Sequence, residues 1–208
     1  CNPIFEYEGI FIMLFGSNPS GHPLTVFINN LVNSLYMRYA FFSILGVDCK
    51  KRFAHYVSLM CYGDDNDMSS KLDAFNHTSI ASELEKVGVV YTMADKTSAS
   101  IPFINLYDTE FLKRTPRFDE EIGRHMAPLN ELSISKSLHT YIPSKELTPE
   151  EHMSELLLGA NREYFQHGRE VFDKRHEQLR RVAKREGLLP YFANNFKNYE
   201  QFLEELEK

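Results

Sequence analysis

The sequence has only three cysteines in 208 residues, and they are neither even in number nor spaced in pairs. Cys1, Cys49 and Cys61 therefore indicate neither a disulfide framework nor a zinc site, and they favour a reducing, cytosolic setting. Long apolar runs are also missing, because polar residues interrupt even the stretch Tyr36–Leu45, so we expect no transmembrane segment. The first residues lack the basic and apolar regions of a secretory signal peptide, and we expect none.

An excess of positive charge is missing too: the net charge is −6, which on bulk electrostatics argues weakly against nucleic-acid binding. The basic residues are nevertheless clustered, at Lys113–Arg117 and Lys174–Arg185. Length and an apolar content of 43% are typical of one globular domain or two small ones. Because the chain begins at Cys1 and runs directly into structured-looking sequence, we expect a fragment or a processed piece of a polyprotein.

The first half of the chain predicts a long helix followed by a hairpin. The helix is expected from about Leu24 to Phe42, because apolar residues recur four apart at Phe27, Leu31, Leu35 and Tyr39. A polar stripe follows the same spacing at Asn30, Ser34 and Arg38, with Asn29 and Asn33 beside it. Phe53–Tyr62 is typical of a buried strand, and Gly63-Asp64-Asp65-Asn66 is turn chemistry, so a short return strand should follow.

Further along the chain, a helix is expected over Ser79–Val87 and a short strand over Val89–Thr92, with a second hairpin at Glu110–Arg114. Thr148-Pro149-Glu150-Glu151 combines an N-cap, a proline at the first helical position and a capping-box glutamate. We expect three helices after it, ending near Gln166, then over Gly168–Glu186 and Tyr199–Glu207. The pattern predicts an α+β region to about Pro128 and a helical region after Pro149, joined by an extended segment containing Pro143.

The clearest candidate for chemistry is the predicted turn at Gly63-Asp64-Asp65. Two adjacent carboxylates on a tight turn can bind a hard divalent cation through oxygen. Nucleotidyl transfer uses such carboxylates, because two cations flank the attacking and leaving oxygens of an in-line displacement. The alternative interpretation is a solvated β-turn, and the tripeptide alone does not exclude it.

The segments around this turn favour the functional interpretation. Pro19-Ser20-Gly21 followed by Thr25 and Asn29 resembles motif B of viral RNA polymerases, and Gly-Asp-Asp takes the place of motif C. Downstream, the segment from Gly88 through Thr92-Met93-Ala94-Asp95-Lys96 resembles motif D, and Phe111-Leu112-Lys113-Arg114 resembles motif E. In this order, the four motifs make the chain similar to RNA-dependent RNA polymerases of the picornavirus-like superfamily of positive-strand RNA viruses. Dicistroviruses, iflaviruses and marine picorna-like viruses are the nearest groups.

The resemblance covers most of the chain and implies an α+β fold. Residues 1–128 would form a partial polymerase palm with motifs B, C, D and E, and residues 129–208 a helical thumb, with the fingers absent. Motif A should precede motif B, but Glu6 and Glu8 do not form its Asp-x-x-x-x-Asp pattern. We therefore expect a polymerase fragment that is inactive alone.

The resemblance also implies roles for individual residues. Asp64 would be the principal ligand of Mg²⁺, or of Mn²⁺ in its place, and Asp65 a secondary ligand. The nucleotide and its ribose 2′-hydroxyl would be recognised by Ser20, Gly21, Thr25 and Asn29. Lys96 would protonate the departing pyrophosphate. The alternatives are that Asn29 fills a buried polar gap and that Lys96 is a solvated surface lysine.

Two basic groups would contact RNA. Lys113 and Arg114 would bind the primer strand or the priming nucleotide. A second group would lie along the product duplex: Arg180, Arg181, Lys184 and Arg185. The alternative for this second group is a solvated helix face paired with Glu177 and Glu186.

The partners implied are an RNA template and primer, ribonucleoside triphosphates, the remainder of the polymerase with its fingers and motif A, and other viral replication proteins. The implied location is the host cytoplasm, at membrane-associated replication complexes. Two other classes of protein stay open: a different palm polymerase such as a reverse transcriptase, and a non-catalytic RNA-binding thumb module.

Overall fold

A computed structural model describes residues 2–46, 52–192 and 195–206. Cys1, Cys49 and the predicted helix end at Glu207 lie outside these ranges. The chain forms two compact units, Cys1–Ile104 and Asn105–Lys208, here called the N-terminal and C-terminal units. Helices and antiparallel hairpins occur together, which confirms the α+β class. The two units divide between Ile104 and Asn105, before the predicted palm–thumb boundary at residue 128. Residues 105–128 therefore belong to the same compact unit as the helices that follow, and their assignment to a palm stays a prediction.

Over residues 2–46 and 52–104, the N-terminal unit contains two hairpins and three helices. In chain order these elements are β1 (Ile4–Tyr7), β2 (Ile10–Met13), α1 (Thr25–Leu45), α2 (Phe53–Tyr56), β3 (Val57–Tyr62), β4 (Asp65–Ser70) and α3 (His77–Glu85). The predicted long helix and the predicted hairpin are confirmed as α1 and β3–β4. The β1–β2 hairpin was not predicted from the sequence.

In this unit one predicted strand is too long and another is wrong: the strand predicted over Phe53–Tyr62 is confirmed only for Val57–Tyr62. Phe53–Tyr56 is a turn of helix, because burial of Phe53 edge-to-face against Phe41 and Phe75 requires the chain to turn there. Val89–Thr92 pairs with none of the strands in the described ranges, because the Val89 N–H bonds to the Leu84 carbonyl and closes the end of α3 instead. These corrections leave β3–β4 as an isolated two-stranded ribbon.

One small core supports that ribbon. It joins α1, α2, α3 and the start of β3 through Met37, Ala40, Phe41, Phe53, Val57, Phe75, Ile80 and Leu84. Helix α3 begins with a capping box in which the Asn76 side chain accepts from the Ser79 N–H. The core therefore fixes α1 against the hairpin that carries Asp64.

The C-terminal unit is mainly helical. Its elements are β5 (Arg117–Asp119), β6 (Arg124–Met126), α4 (Glu131–Leu138), α5 (Pro149–Phe165), α6 (Arg169–Arg185) and α7 (Tyr199–Leu206), with short 3₁₀ turns at Leu106–Asp108 and Leu189–Phe192. The predicted capping box is confirmed at Thr148, whose side chain accepts from the Glu151 N–H. Helix α4 corrects the predicted extended segment: Asn130 caps it, and burial of Ile134 in the core stabilises it.

The core of this unit is larger and rich in aromatic rings. Its buried residues are Met126, Ile134, Leu157, Ala160, Tyr164, Phe165, Phe172, Leu179, Ala183, Leu188, Phe192, Tyr199 and Phe202. Within the described ranges, no helix combines the length and the apolar character needed to cross a membrane.

Candidate functional site

The Gly-Asp-Asp segment forms the tip of the β3–β4 hairpin. Tyr62 pairs with Asp65, which leaves Gly63 and Asp64 as a two-residue loop. Gly63 has φ of 66° while Asp64 is not in the left-handed region, a pattern typical of a type II′ turn with glycine first. Asp64 and Asp65 are both exposed, and their carboxylates form no hydrogen bond or ion pair with another described residue. Both carboxylates are therefore accessible to a cation.

Helix α1 holds this turn through two asparagine side chains. Asn33 is 7% exposed, and its Nδ2 lies 3.4, 2.8 and 3.3 Å from the carbonyl oxygens of Gly63, Asp64 and Asp65. Asn30 Oδ1 accepts from the Gly63 N–H at 2.5 Å. Side chains of α1 thus bond both the N–H of Gly63 and the carbonyl groups of the turn.

A second layer of polar contacts reaches the segment that resembles motif D. Asn66 Nδ2 donates to Asn33 Oδ1 at 2.8 Å, and the Tyr91 hydroxyl donates to Asn66 Oδ1 at 2.7 Å. Burial raises the pKa of Tyr91 to about 12, against the opposing effect of the Asn66 hydrogen bond, so the hydroxyl keeps its proton at neutral pH. Tyr91 also stacks on His77, with ring centroids 4.7 Å apart.

The residues that resemble motif B lie at the start of α1, around Asn18. The Thr25 hydroxyl donates to the Pro19 carbonyl at 2.6 Å and lies 3.3 Å from Asn18 Oδ1. Asn18 Nδ2 donates to Asn29 Oδ1 at 2.9 Å. Asn18 therefore links Thr25 to Asn29.

The loop before α1 is open. Ser20 and Gly21 are exposed, Gly21 has φ of 88°, and no atom lies within 4 Å of a Cβ built there. Asn29 precedes Asn33 by four residues, so the predicted ribose contact lies one helical turn from the residue that holds the Asp64 turn. Helix α1 thus carries Thr25 and Asn29 and, through Asn33, contacts the β3–β4 turn that carries Asp64 and Asp65.

Lys96 lies in an exposed turn with φ of 61°. Asp95 organises this turn, because its carboxylate accepts from the Ser98 hydroxyl and from the N–H groups of Ser98 and Thr97. These bonds, led by the Ser98 side chain, lower the pKa of Asp95 to about 2. Within the described ranges, no hydrogen bond or ion pair joins Lys96 to the Asp64 turn, and its role as general acid stays a prediction.

The motif E segment is a tight hairpin, as predicted. Phe111 and Arg114 form a bridge, and the two residues between them have positive φ, 53° at Leu112 and 62° at Lys113. Lys113 pairs with Glu110 at 2.8 Å, whereas the Arg114 guanidinium donates two bonds, of 2.8 and 2.7 Å, to Glu163 of α5. Arg114 therefore ties the hairpin to α5, and a contact of either residue with the primer stays a prediction.

The four predicted RNA-binding cations of α6 are all exposed: Arg180, Arg181, Lys184 and Arg185. Arg181 lies 3.7 Å from Glu177, and Arg185 lies 2.7 Å from Glu186. Glu177 and Glu186 are the two partners expected if α6 simply presents a solvated, charge-paired face. Exposed pairs of this kind contribute about 0–1 kcal/mol, so they leave both interpretations open.

The carboxylates of Asp64 and Asp65 could supply some, but not all, of the ligands of a magnesium ion. Mg²⁺ is bound through a few carboxylates together with water and phosphate oxygens, and Asp64 and Asp65 supply such carboxylates on an exposed turn. Among the described residues, no cluster of three or more His, Cys, Asp or Glu side chains could hold a metal ion by itself. The two aspartates would therefore bind such an ion together with other oxygen ligands, for which water and phosphate are typical.

Sequence reasoning missed the residues that support the site, namely Asn18, Asn33, Asn66 and Tyr91. Two signals were present. Asn33 lies beside the polar stripe of α1, and Asn66 directly follows the paired aspartates. Neither signal identifies a partner, because the contacts span 25 to 33 positions in sequence.

Comparison with known proteins gives consistent matches. A family model for viral RNA-dependent RNA polymerase matches residues 1–186. The chain is 34% identical over 176 residues to the replicase polyprotein of Drosophila C virus, covering 81% of this chain and 10% of that protein. It is 30% identical over 195 residues to the replicase polyprotein of Cricket paralysis virus, covering 90% and 11%. A third match is the RNA1 polyprotein of Tomato torrado virus, 34% identical over 180 residues and covering 80% and 8%.

The chain thus spans about a tenth of the length of the polyproteins that it matches. The family match covers both the hairpin with Asp64 and the motif E turn. The relatives include the dicistroviruses and picorna-like plant viruses, and the expected resemblance is confirmed. The chain belongs to the viral RNA-dependent RNA polymerase family.

Proposed function

We propose that this chain supplies the catalytic turn and the sugar-sensing residues of an RNA-directed RNA polymerase. The reaction would transfer nucleotides from ribonucleoside triphosphates to the 3′ end of RNA on an RNA template, in viral genome replication and transcription. One observation carries the proposal: α1 contacts the turn with Asp64 through Asn33 and presents Asn29 one helical turn away. A metal ligand and a ribose contact are needed in the same region of the site, because the sugar and the triphosphate belong to one nucleotide.

The chemistry expected at this site is an in-line displacement. The primer 3′-hydroxyl oxygen forms a bond to the α-phosphorus of the nucleotide, the bond to the bridging oxygen breaks, and pyrophosphate leaves. Mg²⁺, or Mn²⁺ in its place, would supply charge stabilisation for the attacking and leaving oxygens. Asp64 would be the main carboxylate ligand and Asp65 a second ligand or electrostatic partner. Lys96 would give a proton to the leaving pyrophosphate.

Sugar selection would involve Asn29 and Thr25. Asn18 orders both side chains, and Asn29 keeps its own Nδ2 as a donor for the 2′-hydroxyl that separates RNA from DNA. The exposed loop at Ser20 and Gly21 lets backbone approach the nucleotide closely. These four residues would form the nucleotide-binding part of the site.

The RNA contacts proposed for the C-terminal unit are electrostatic. Lys113 and Arg114 would meet the primer, and the α6 cations would meet the product duplex through phosphate, without reading sequence. The further partners would be the remainder of the polymerase, with fingers and motif A, and other viral replication proteins in the host cytoplasm, at membrane-associated replication complexes.

The decisive test is Asp64→Asn in a polymerase polypeptide that contains this chain with the upstream part of its reading frame. Replacing a carboxylate ligand with a neutral amide removes several kcal/mol of charge stabilisation, so nucleotide addition on a primed RNA template should fall about 10³-fold or more. Circular dichroism should be unchanged, because the carboxylate makes no contact with a described residue.

Asp73→Asn is the matched control, since Asp73 is an exposed aspartate of the same unit outside the turn. Near-normal synthesis by a folded Asp64→Asn enzyme would contradict the proposal. The 208 residues alone should add no nucleotide even at high Mg²⁺ or Mn²⁺, because they supply only the Asp64–Asp65 part of the ligand set. Activity from this chain alone would show that the ligand set is complete without motif A.

A further inference from the structure

The buried carboxamide of Asn33 contacts three consecutive carbonyl oxygens of the turn that carries the paired aspartates. Its Nδ2 has two hydrogens and three acceptors within 3.4 Å, the nearest being the Asp64 carbonyl at 2.8 Å. A side chain that bonded only one carbonyl would restrain only one peptide unit of the turn directly. Asn33 instead restrains the peptide units on both sides of the Asp64 side chain.

The orientation of this carboxamide is itself determined. Asn33 Oδ1 accepts from Asn66 Nδ2, and Asn66 Oδ1 accepts from the Tyr91 hydroxyl. Rotating either amide by 180° would place donor against donor or acceptor against acceptor, so the chain of bonds has one favourable direction. Tyr91 is held in turn by stacking on His77, whose Nδ1 lies 2.7 Å from the Ser100 hydroxyl.

The turn needs such a restraint because its carboxylates repel each other. Asp64 and Asp65 are adjacent anions without a side-chain partner among the described residues. The turn sits at the tip of a ribbon that has two strands among the described residues, beyond the part of β3 that packs in the core with α1. Amides can fix its backbone without adding a charge that would compete for the carboxylates.

We propose that Asn33 is a positioning residue for nucleotidyl transfer: oriented by Asn66 and Tyr91, it fixes the Gly63–Asp65 backbone so that both carboxylates keep one geometry. The inference rests on the proposed function and deepens it. Asn33 does not touch substrate; it acts through Asp64. Tyr91 thereby couples the segment resembling motif D to the aspartates of motif C.

The main variant is Asn33→Asp in the polymerase polypeptide that contains this chain. Aspartate has nearly the same shape and keeps the acceptor for Asn66, but it removes the donors and sets a carboxylate against three carbonyl oxygens. A misplacement of about 1 Å costs on the order of 10²-fold in rate, so kcat should fall by about that factor while KM for the nucleotide changes little. The Mg²⁺ concentration for half-maximal rate should rise, because the carboxylates no longer share one geometry.

Tyr91→Phe is the second variant, because it keeps the ring and removes only the hydroxyl bond. One hydrogen bond contributes about 0.5–1.5 kcal/mol, so kcat should fall by about tenfold or less, with a smaller shift in the same Mg²⁺ dependence. Ile80→Val is the control, since Ile80 is buried in the same core and does not bond to the turn. It should lower the melting temperature and leave the Mg²⁺ dependence as it is in the parent enzyme.

Three outcomes separate the possibilities. A raised Mg²⁺ requirement in Asn33→Asp and, more weakly, in Tyr91→Phe supports the inference. An unchanged Mg²⁺ dependence in folded Asn33→Asp overturns it, and if that variant does not fold, an unchanged dependence in Tyr91→Phe overturns it instead. Asp64→Asn is run alongside: if it is inactive while the other two variants are normal, only this inference fails, whereas an active Asp64→Asn removes the proposed function as well.

Discussion

The two units of this chain are stabilised in different ways. The described residues form ten ion pairs, and only Lys86–Glu83 belongs to the N-terminal unit. The C-terminal unit also has the larger core, built around packed aromatic rings. In the N-terminal unit, neutral amides surround the Asp64 turn, and both strands of the β1–β2 hairpin expose their apolar side chains.

The difference follows from what each unit is proposed to do. A lysine or arginine placed beside Asp64 would compete with a divalent cation for the carboxylate, whereas an amide restrains backbone without that competition. The C-terminal unit has no such constraint, and ion pairs such as Arg114–Glu163 can stabilise it. Apolar side chains of β1 and β2 are exposed, among them Ile4 at 60% and Phe11 at 76%.

The largest expected effect tests whether the C-terminal unit depends on its aromatic core. Phe172 is 1% exposed and lies between the rings of Phe165, Tyr199 and Phe202, with centroids 5.4 to 6.3 Å away. Phe172→Ala should lower the free energy of unfolding by about 3–5 kcal/mol, because it removes apolar burial and leaves a cavity. Urea denaturation of the chain followed by circular dichroism measures the change.

Phe27→Ala is the matched variant in the N-terminal unit. Phe27 is 69% exposed on α1, so its removal should change the same free energy by no more than about 0.5 kcal/mol. An equal loss of unfolding free energy in Phe27→Ala and Phe172→Ala would contradict the proposed difference between the units. It would show that the exposed face of α1 is packed in solution.

Local signals predicted much of this fold. The four-residue apolar spacing of α1, the turn residues at Gly63-Asp64 and the capping box at Thr148 each depend on neighbours in sequence, and each is confirmed. The elements that were wrong depend on distant packing. Phe53 starts a helical turn because Phe41 and Phe75 bury it, and α4 forms because Ile134 is buried in the C-terminal core.

The residues of the candidate site also fall into those visible in local sequence and those set by distant contacts. The motif pattern predicts Asp64, Asp65, Thr25 and Asn29 as site residues because spacing along one helix or turn is visible in sequence. The supporting bonds of Asn33 and Tyr91 join segments that are far apart, and no local pattern encodes which carbonyl an amide will meet. A motif can therefore point to candidate substrate contacts, but it does not predict the distant hydrogen bonds that hold their backbone.

An intermediate effect tests the ion pairs of the C-terminal unit. Glu163 and Arg114 form a half-buried, two-bond pair, and the pKa of Arg114 is raised, chiefly by its hydrogen bonds to Glu163. Glu163→Gln should reduce the free energy of unfolding by about 1–3 kcal/mol, since charge-assisted bonds are lost while the guanidinium stays partly buried. Lys86→Gln, which breaks the exposed pair of the N-terminal unit, should cost about 0.2–0.5 kcal/mol in the same assay. A loss from Lys86→Gln as large as that from Glu163→Gln would contradict this account.

The smallest expected effect tests whether the C-terminal unit also binds RNA through α6. Arg180 and Lys184 lie four apart on the exposed face of α6, where the neighbouring pairs of Arg181 and Arg185 are too weak to prevent exchange for phosphate. If this face binds duplex RNA, each lost phosphate contact should lower the slope of log affinity against log salt by about 0.7–0.9. Arg180→Gln combined with Lys184→Gln should therefore reduce that slope by up to about 1.8, measured by fluorescence anisotropy with labelled duplex RNA.

The control is Arg162→Gln, which changes an exposed arginine of α5 and should leave the slope unchanged. An unchanged slope in the double variant would favour the solvated-face interpretation and leave α6 with a purely structural role.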